Sequence, residues 1–232
     1  MLTHSKIKPP FFEIGPKAFM YGDEMLSLAK VIDAAAKKYD VRVILTPQYT
    51  DIYPVAQATE NILVFAQHMD PLPIGRGLGS VLPEAVKAAG AVGVMLNHDE
   101  KQLTISELAR CIRRAEDLEL YTIVCSDSVM EAMAIAQLKP DIIVCEPSSL
   151  IGTGQTSDNE YVQASIKAVK SVNPDILVLQ GAGISNGADV YNVIRAGAEA
   201  TGTTSGIMKA ANKEAMVDEM LSAVRRAWNE TH

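Results

Sequence analysis

Residues 142–154 read IIVCEPSSLIGTG: a short apolar run, the carboxylate Glu146, then a proline, two serines and a Gly-Thr-Gly. This is how a buried parallel strand hands over to an active-site loop, with Glu146 placed where the strand stops. Side chains alternate along a strand, so Ile142, Val144 and Glu146 share one face and Ile143 and Cys145 the other. If the first face lines the inside of a closed sheet, Glu146 reaches its open mouth. The rest of the chain decides whether that closed sheet exists.

Outward from this stretch, apolar strand candidates alternate with amphipathic helical stretches eight times. The strands are expected at residues 10–14, 41–46, 61–66, 91–96, 121–125, 141–145, 176–179 and 199–204. The first helix, 22–39, carries Met25, Leu28, Ala29, Ile32 and Ala36 at helical spacing. Thr104 and Glu107 form a T-x-x-E capping box ahead of another apolar-faced helix. Further helices are expected near 53–59, 82–89, 128–138, 161–172, 189–196 and 214–228. The eighth strand falls on AEATGTTSG, which is rich in Thr and Gly rather than Val and Ile. Eight short-linked strand–helix units without a composition break favour an α/β fold of the (β/α)8 barrel type, one domain over residues 1–232.

Composition narrows the functional classes. Hydrophobic residues at 48% and charged residues at 21% suit a soluble globular protein. A net charge of -7 argues against nucleic acid or an anionic membrane as partner. It still permits a small anion, because backbone N–H groups at helix starts bind phosphate whatever the global charge. Three cysteines, Cys111, Cys125 and Cys145, make a disulfide framework unlikely and a reducing cytoplasm the expected location. The opening MLTHSKIKPP has no signal-peptide core, and no run is long enough to span a membrane.

Barrel chemistry sits at the C-terminal ends of strands. There the chain places Lys17 after strand one, Gln67-His68 after three, His98 after four and Glu146 after six. Gly181-Ala182-Gly183 follows seven and Thr204-Ser205-Gly206 follows eight. Glu146, followed by a loop able to close and strip water, reads as a general base. His98 stands among Asp99, Glu100 and Lys101, which suits a polar turn. The paired glycine turns after strands seven and eight match the place where such barrels hold a phosphate. His68 reads as structural or as a subunit contact, and Cys145 as packing. No metal constellation is expected, since His4 and His232 lie at the termini.

The segments FAQHMDP, GSVLPEAVKAAGAVGVMLNHDEK, EPSSLIGTG, VNPDILVLQGAGIS and TSGIMKA, in this order, resemble triosephosphate isomerases, most closely the short archaeal-type form. The resemblance spans nearly the whole chain. It implies a (β/α)8 TIM barrel and cofactor-free isomerisation of triose phosphates in glycolysis and gluconeogenesis, by a homodimer or homotetramer. It assigns Glu146 as the base moving a proton between C1 and C2, and His98 as the electrophile. Lys17 becomes the lysine offsetting phosphate and enediolate charge, and Glu100 the acid two residues past the histidine. Gly15 at the strand-one site, Ile151 and Gly152 in the lid, Gly183, Thr204 and Ser205 become substrate-binding positions.

Two departures bear on the substrate. The family writes Asn-x-Lys where this chain has Gly15-Pro16-Lys17, so a side-chain contact is missing. It writes Thr-Gly where this chain has Leu78-Gly79, altering a subunit-facing loop. The strand-eight stretch is also more polar than the family's. The competing expectation is therefore the same enediol chemistry on another small aldose or ketose phosphate, such as a tetrulose phosphate. A paralogue that only binds a phosphorylated metabolite is a third, and Glu146 with His98 counts against it because a binder needs neither.

Overall fold

The computed structural model describes residues 7–232, so His4 lies outside the described residues. Eight parallel strands close into a barrel in chain order: β1 (Phe11–Ile14), β2 (Arg42–Leu45), β3 (Ile62–Ala66), β4 (Gly93–Leu96), β5 (Tyr121–Ser126), β6 (Ile142–Cys145), β7 (Leu177–Gln180) and β8 (Ala200–Thr203). Closure is made by β8 pairing with β1, Phe11 opposite Ala200 and Ile14 opposite Thr203. The helices between them are α1 (Gly22–Tyr39), α2 (Ile52–Ala58), α3 (Pro83–Ala88), α4 (Ile105–Asp117), α5 (Val129–Ala136), α6 (Asn159–Val172) and α7 (Gly187–Arg195). After β8 come a single turn, α8 (Ser205–Met208), and the closing α9 (Lys213–Asn229). The expected (β/α)8 barrel is present, and among the described residues α8 is the one α-helix the sequence pattern did not disclose. Four residues are too few to show a helical period.

The helices start where side chains can cap them. Thr104 Oγ1 accepts the Glu107 N–H while Glu107 accepts the Thr104 N–H, which completes the expected capping box on α4. Asp158, Asn186, Asn212 and Ser128 cap α6, α7, α9 and α5 by accepting first-turn N–H groups with their side chains. The strand alternation sorts the apolar residues into two layers. Phe11, Ile44, Phe65, Ile123, Ile142 and Val144 fill the barrel interior. Phe12, Ile14, Val43, Ile143 and Cys145 face the helix ring. The inside–outside reading of residues 142–145 therefore holds, Cys145 included.

The polar β8 works because its hydroxyls find carbonyls. Thr201 Oγ1 donates to Gln180 O at 2.7 Å and Thr203 Oγ1 to Ile184 O at 2.6 Å, so a buried Thr-rich strand leaves these groups satisfied. Gly93 on β4 is demanded by packing: a Cβ there would lie 2.2 Å from Phe65 Cε1. The Phe65 ring is fully buried and stacked on Tyr121, so it has no room to yield. Gly93→Ala is expected to destabilise the fold by about 1–3 kcal/mol, the usual cost of overpacking. Urea unfolding checks this, and an unchanged midpoint would remove the argument.

Candidate active site

At the C-terminal mouth of the barrel lies a cavity of about 470 Å³. The structure brings every sequence-predicted site residue to it: Glu146, His98, Lys17 and Glu100, with Gly15, Ile151, Gly152, Gly183, Thr204 and Ser205. They come from the loops after β1, β4, β6, β7 and β8, as barrel chemistry requires.

Glu146 follows β6 directly, and its N–H donates to Ser126 O on β5 at 3.0 Å, extending the ladder by one residue. Its Oε1 accepts the Ala182 N–H at 2.9 Å, which fixes the carboxylate against the turn after β7. That turn has to be slim: a Cβ on Gly181 would stand 3.0 Å from Glu146 Cβ and Cδ. Burial pushes the Glu146 carboxyl above the ordinary glutamate range, against the opposing pull of Lys17 and the Ala182 N–H. A carboxylate so placed is a stronger base than one in water.

His98 is aimed by its neighbour. Asn97 adopts a left-handed φ of 58°, held by Nδ2 donating to Cys125 O at 3.0 Å and Oδ1 accepting the Leu103 N–H at 3.0 Å. His98 Nδ1 then accepts the Glu100 N–H at 3.0 Å, which places the proton of the neutral ring on Nε2. Burial, and then the nearby Lys17 charge, lower the His98 pKa, so the ring is neutral at physiological pH. Nε2 stands 4.0 Å from Glu146 Oε2, too far for a hydrogen bond, and both atoms face the same cavity.

Lys17 also sits in the left-handed region, at φ 48°, a conformation a lysine adopts only when its surroundings compel it. Two amides do so. Gln48 Nε2 donates to Lys17 O at 2.7 Å and Gln67 Nε2 donates to the same oxygen at 3.0 Å. Its ammonium donates to Glu100 Oε1 at 2.8 Å, and that hydrogen bond holds the Glu100 carboxyl below the usual range. Sequence reasoning placed Gln67 at a strand end without giving it a role and did not name Gln48; the two reach Lys17 from the ends of β3 and β2. No local motif marks a glutamine that serves another strand's carbonyl.

Of the lid residues at the cavity rim, Ile151 is half-buried and Gly152 is exposed, with φ 74°. Gly183 packs against the lid's far end: a Cβ there would fall 1.9 Å from Gln155 O. His68 is buried, with Nε2 3.2 Å from Asp70 Oδ1, and it also lines the cavity. Glu13, on β1 beneath Gly15, also lines the cavity, and the sequence reading assigned it nothing.

Known proteins resemble this chain in sequence and in fold. The triosephosphate isomerase family model matches residues 16–220. The chain is 36% identical over 225 residues to a triosephosphate isomerase of Saccharolobus solfataricus, covering 95% of this chain and 99% of that protein. It is 39% identical over 201 residues to one of Methanobacterium bryantii, covering 85% and 88%. In fold it resembles the crystal structure of triosephosphate isomerase from Bartonella henselae, with a TM-score of 0.72 over 94% of this chain and 98% of that one. At 16% identity that likeness speaks for the barrel alone. Taken with the sequence matches, the chain belongs to the triosephosphate isomerase family.

Proposed function

We propose that the protein interconverts D-glyceraldehyde 3-phosphate and dihydroxyacetone phosphate through an enediolate, with Glu146 as the proton carrier. The carrying observation is that Glu146 Oε2 and the proton-bearing Nε2 of His98 face one cavity from 4.0 Å apart, beside the Lys17 ammonium. In that reading the Glu146 carboxylate takes a proton from C1 of the ketose. His98 Nε2–H donates to the oxygen on which charge develops, and Lys17 offsets that charge. Glu146 then returns its proton at C2 while the hydroxyl proton of O1 passes to O2, so atoms balance with no second substrate. Glu100 is a positioning residue, holding Lys17 by its carboxylate and His98 by its backbone N–H.

The phosphoryl group is assigned to the backbone of Ile151, Gly152, Gly183, Thr204 and Ser205, whose loops surround the side of the cavity fed by β6, β7 and β8. Closing the lid would strip water from the enediolate. The same reading extends to a cytoplasmic homodimer or homotetramer. The exposed Ile74 and Leu78 in the loop after β3 support it, since an apolar loop tip gains by docking into another copy. Sedimentation should give two or four chain masses.

Turnover of a panel of phosphorylated sugars tests the substrate assignment. Triose phosphates are expected to isomerise with a kcat/KM at least about a hundredfold above four-carbon sugar phosphates, the size of preference a hydrogen-bonding pocket can impose. A preference for tetrulose phosphates would move the enzyme to the competing substrate class while leaving the proton-transfer chemistry intact.

A further inference from the structure

Glu13 has no part in the steps above, yet the barrel is built to hold it. It stands on β1 level with Ile44 on β2 and Gly202 on β8, faces the barrel interior and is 8% exposed. Space for its carboxyl group exists because two neighbours have no side chain. A Cβ on Gly15 would lie 2.9 Å from Oε1, and a Cβ on Gly202 would lie 2.9 Å from Oε2. Thr46 Oγ1 donates to Oε1 at 3.0 Å, and among the described residues no hydrogen bond reaches Oε2. A carboxyl group in such a place is costly to the fold, so packing alone would favour an apolar residue.

We propose that Glu13 is a substrate-contacting residue whose carboxyl group, seated between Gly15 and Gly202 at the cavity floor, hydrogen-bonds a hydroxyl or carbonyl oxygen at the end of the sugar phosphate remote from its phosphoryl group. The inference rests on the sugar-phosphate isomerase reading and adds a contact to it. The phosphoryl end belongs to the loops after β6, β7 and β8, and the reacting carbons to Glu146 and His98. Of the two oxygens on those carbons, O2 takes the His98 donor and O1, the one remote from the phosphoryl group, is left for the floor. The side chain of Glu13 occupies the space that the missing side chain at position 15 leaves open.

The protonation state suits this role. Burial raises the Glu13 pKa to about 8, the Thr46 hydrogen bond and Lys17 pull it down, and the charge of Glu146 pushes it up. The titratable groups facing it are thus Glu146 from the end of β6, Lys17 from the loop after β1 and Cys125 on β5, whose thiol Glu13 helps to push up. Its raised pKa leaves Glu13 protonated near neutral pH, where it offers Oε2–H as a donor. Once ionised, it would set a second negative charge against Glu146 and the enediolate. Activity therefore gains a basic limb near the Glu13 pKa. Stability follows the same group. The unfolded carboxyl ionises near 4.5 while the folded one keeps its proton to about 8, so its penalty grows as pH rises through that window.

The test uses the purified full-length enzyme with dihydroxyacetone phosphate between pH 6 and 10. Glu13→Gln keeps the shape and a donor, so at pH 7 its kcat/KM should stay within about threefold of wild type, and the basic limb near pH 8 should vanish. Glu13→Val removes the contact, and kcat/KM should fall roughly tenfold to a hundredfold, chiefly through KM. Its Tm should hold or rise, with a larger gain at pH 8 than at pH 5, which a purely structural role would not produce. A Glu13→Val enzyme with kcat/KM within about twofold of wild type overturns the proposal, as does a Glu13→Gln profile that retains the basic limb. If Glu13→Val does not fold, the Glu13→Gln profile decides alone. The isomerase reading stands or falls separately, on wild-type turnover and its loss in Glu146→Gln.

Discussion

Glu146→Gln is expected to lower kcat for triose phosphate isomerisation by about two to four orders of magnitude, the range a positioned general base contributes, while KM stays within about threefold. The amide has the carboxylate's shape and its carbonyl oxygen can still accept the Ala182 N–H that Oε1 takes at 2.9 Å. What it loses is the ability to hold a proton. Because the contact to the turn after β7 persists, the fold and the substrate's place in it should survive. The loss should therefore show in kcat alone. Single-turnover measurement with dihydroxyacetone phosphate deuterated at C1 checks the step directly, since the variant should exchange no label with solvent. Wild-type kcat in this variant would end the assignment of Glu146 as base. In the wild type, activity should also fall on the acid side as Glu146 gains its proton, and that limb should sit above the ordinary glutamate range because burial raises this pKa.

Lys17→Ala should lower kcat/KM by about two to three orders of magnitude, comparable with removing a preorganised donor from a developing anion. Three consequences of the structure make the effect large. The cation meeting phosphoryl and enediolate charge disappears. Glu100 loses the ammonium that its Oε1 holds at 2.8 Å, leaving an unpaired carboxylate beside the cavity. The burial that lowers the His98 pKa then acts without the lysine's help, so the neutral imidazole is less well protected. Lys17→Arg should not rescue activity, because a planar guanidinium cannot replace a point charge held by a backbone at φ 48°. Added alkylammonium should restore part of the lost rate in Lys17→Ala, a readout that a collapsed loop would not give. Kinetics near those of the wild type would remove Lys17 from the site.

The substrate departures acquire a physical meaning in three dimensions. Gly15 and the polar strand-eight stretch looked like separate losses in the chain. In the barrel they are two walls around one carboxyl group: Gly15 above Glu13 and Gly202 beside it, with Thr46 donating to it. Residues 46 and 202 are distant in sequence from 13 and 15, and nothing in the spacing of FFEIGPK says that the third residue points into the cavity.

The elements themselves were legible because burial leaves a period. The alternation around IIVCE separated Val144 from Cys145 correctly, and the helical stripe of α1 matched its buried residues Met25, Leu28, Ala29, Ile32 and Ala36. The site's principal residues were legible for a topological reason: parallel strands in a closed barrel all end on one rim, so the ends of strands name the site. By itself, then, the chain determined the barrel, its inner and outer faces and the meeting of Glu146, His98 and Lys17, with Glu100 added by the family resemblance. Only the tertiary structure decided how each is aimed: the Gln48 and Gln67 amides on Lys17, the Asn97 turn and Glu100 N–H on His98, the Ala182 N–H on Glu146, and the burial of Glu13 between two glycines. A periodic pattern records which side of an element is dry, whereas hydrogen bonds and desolvation depend on which atoms of other strands come within 3 Å, and that distance is set by closure of the sheet.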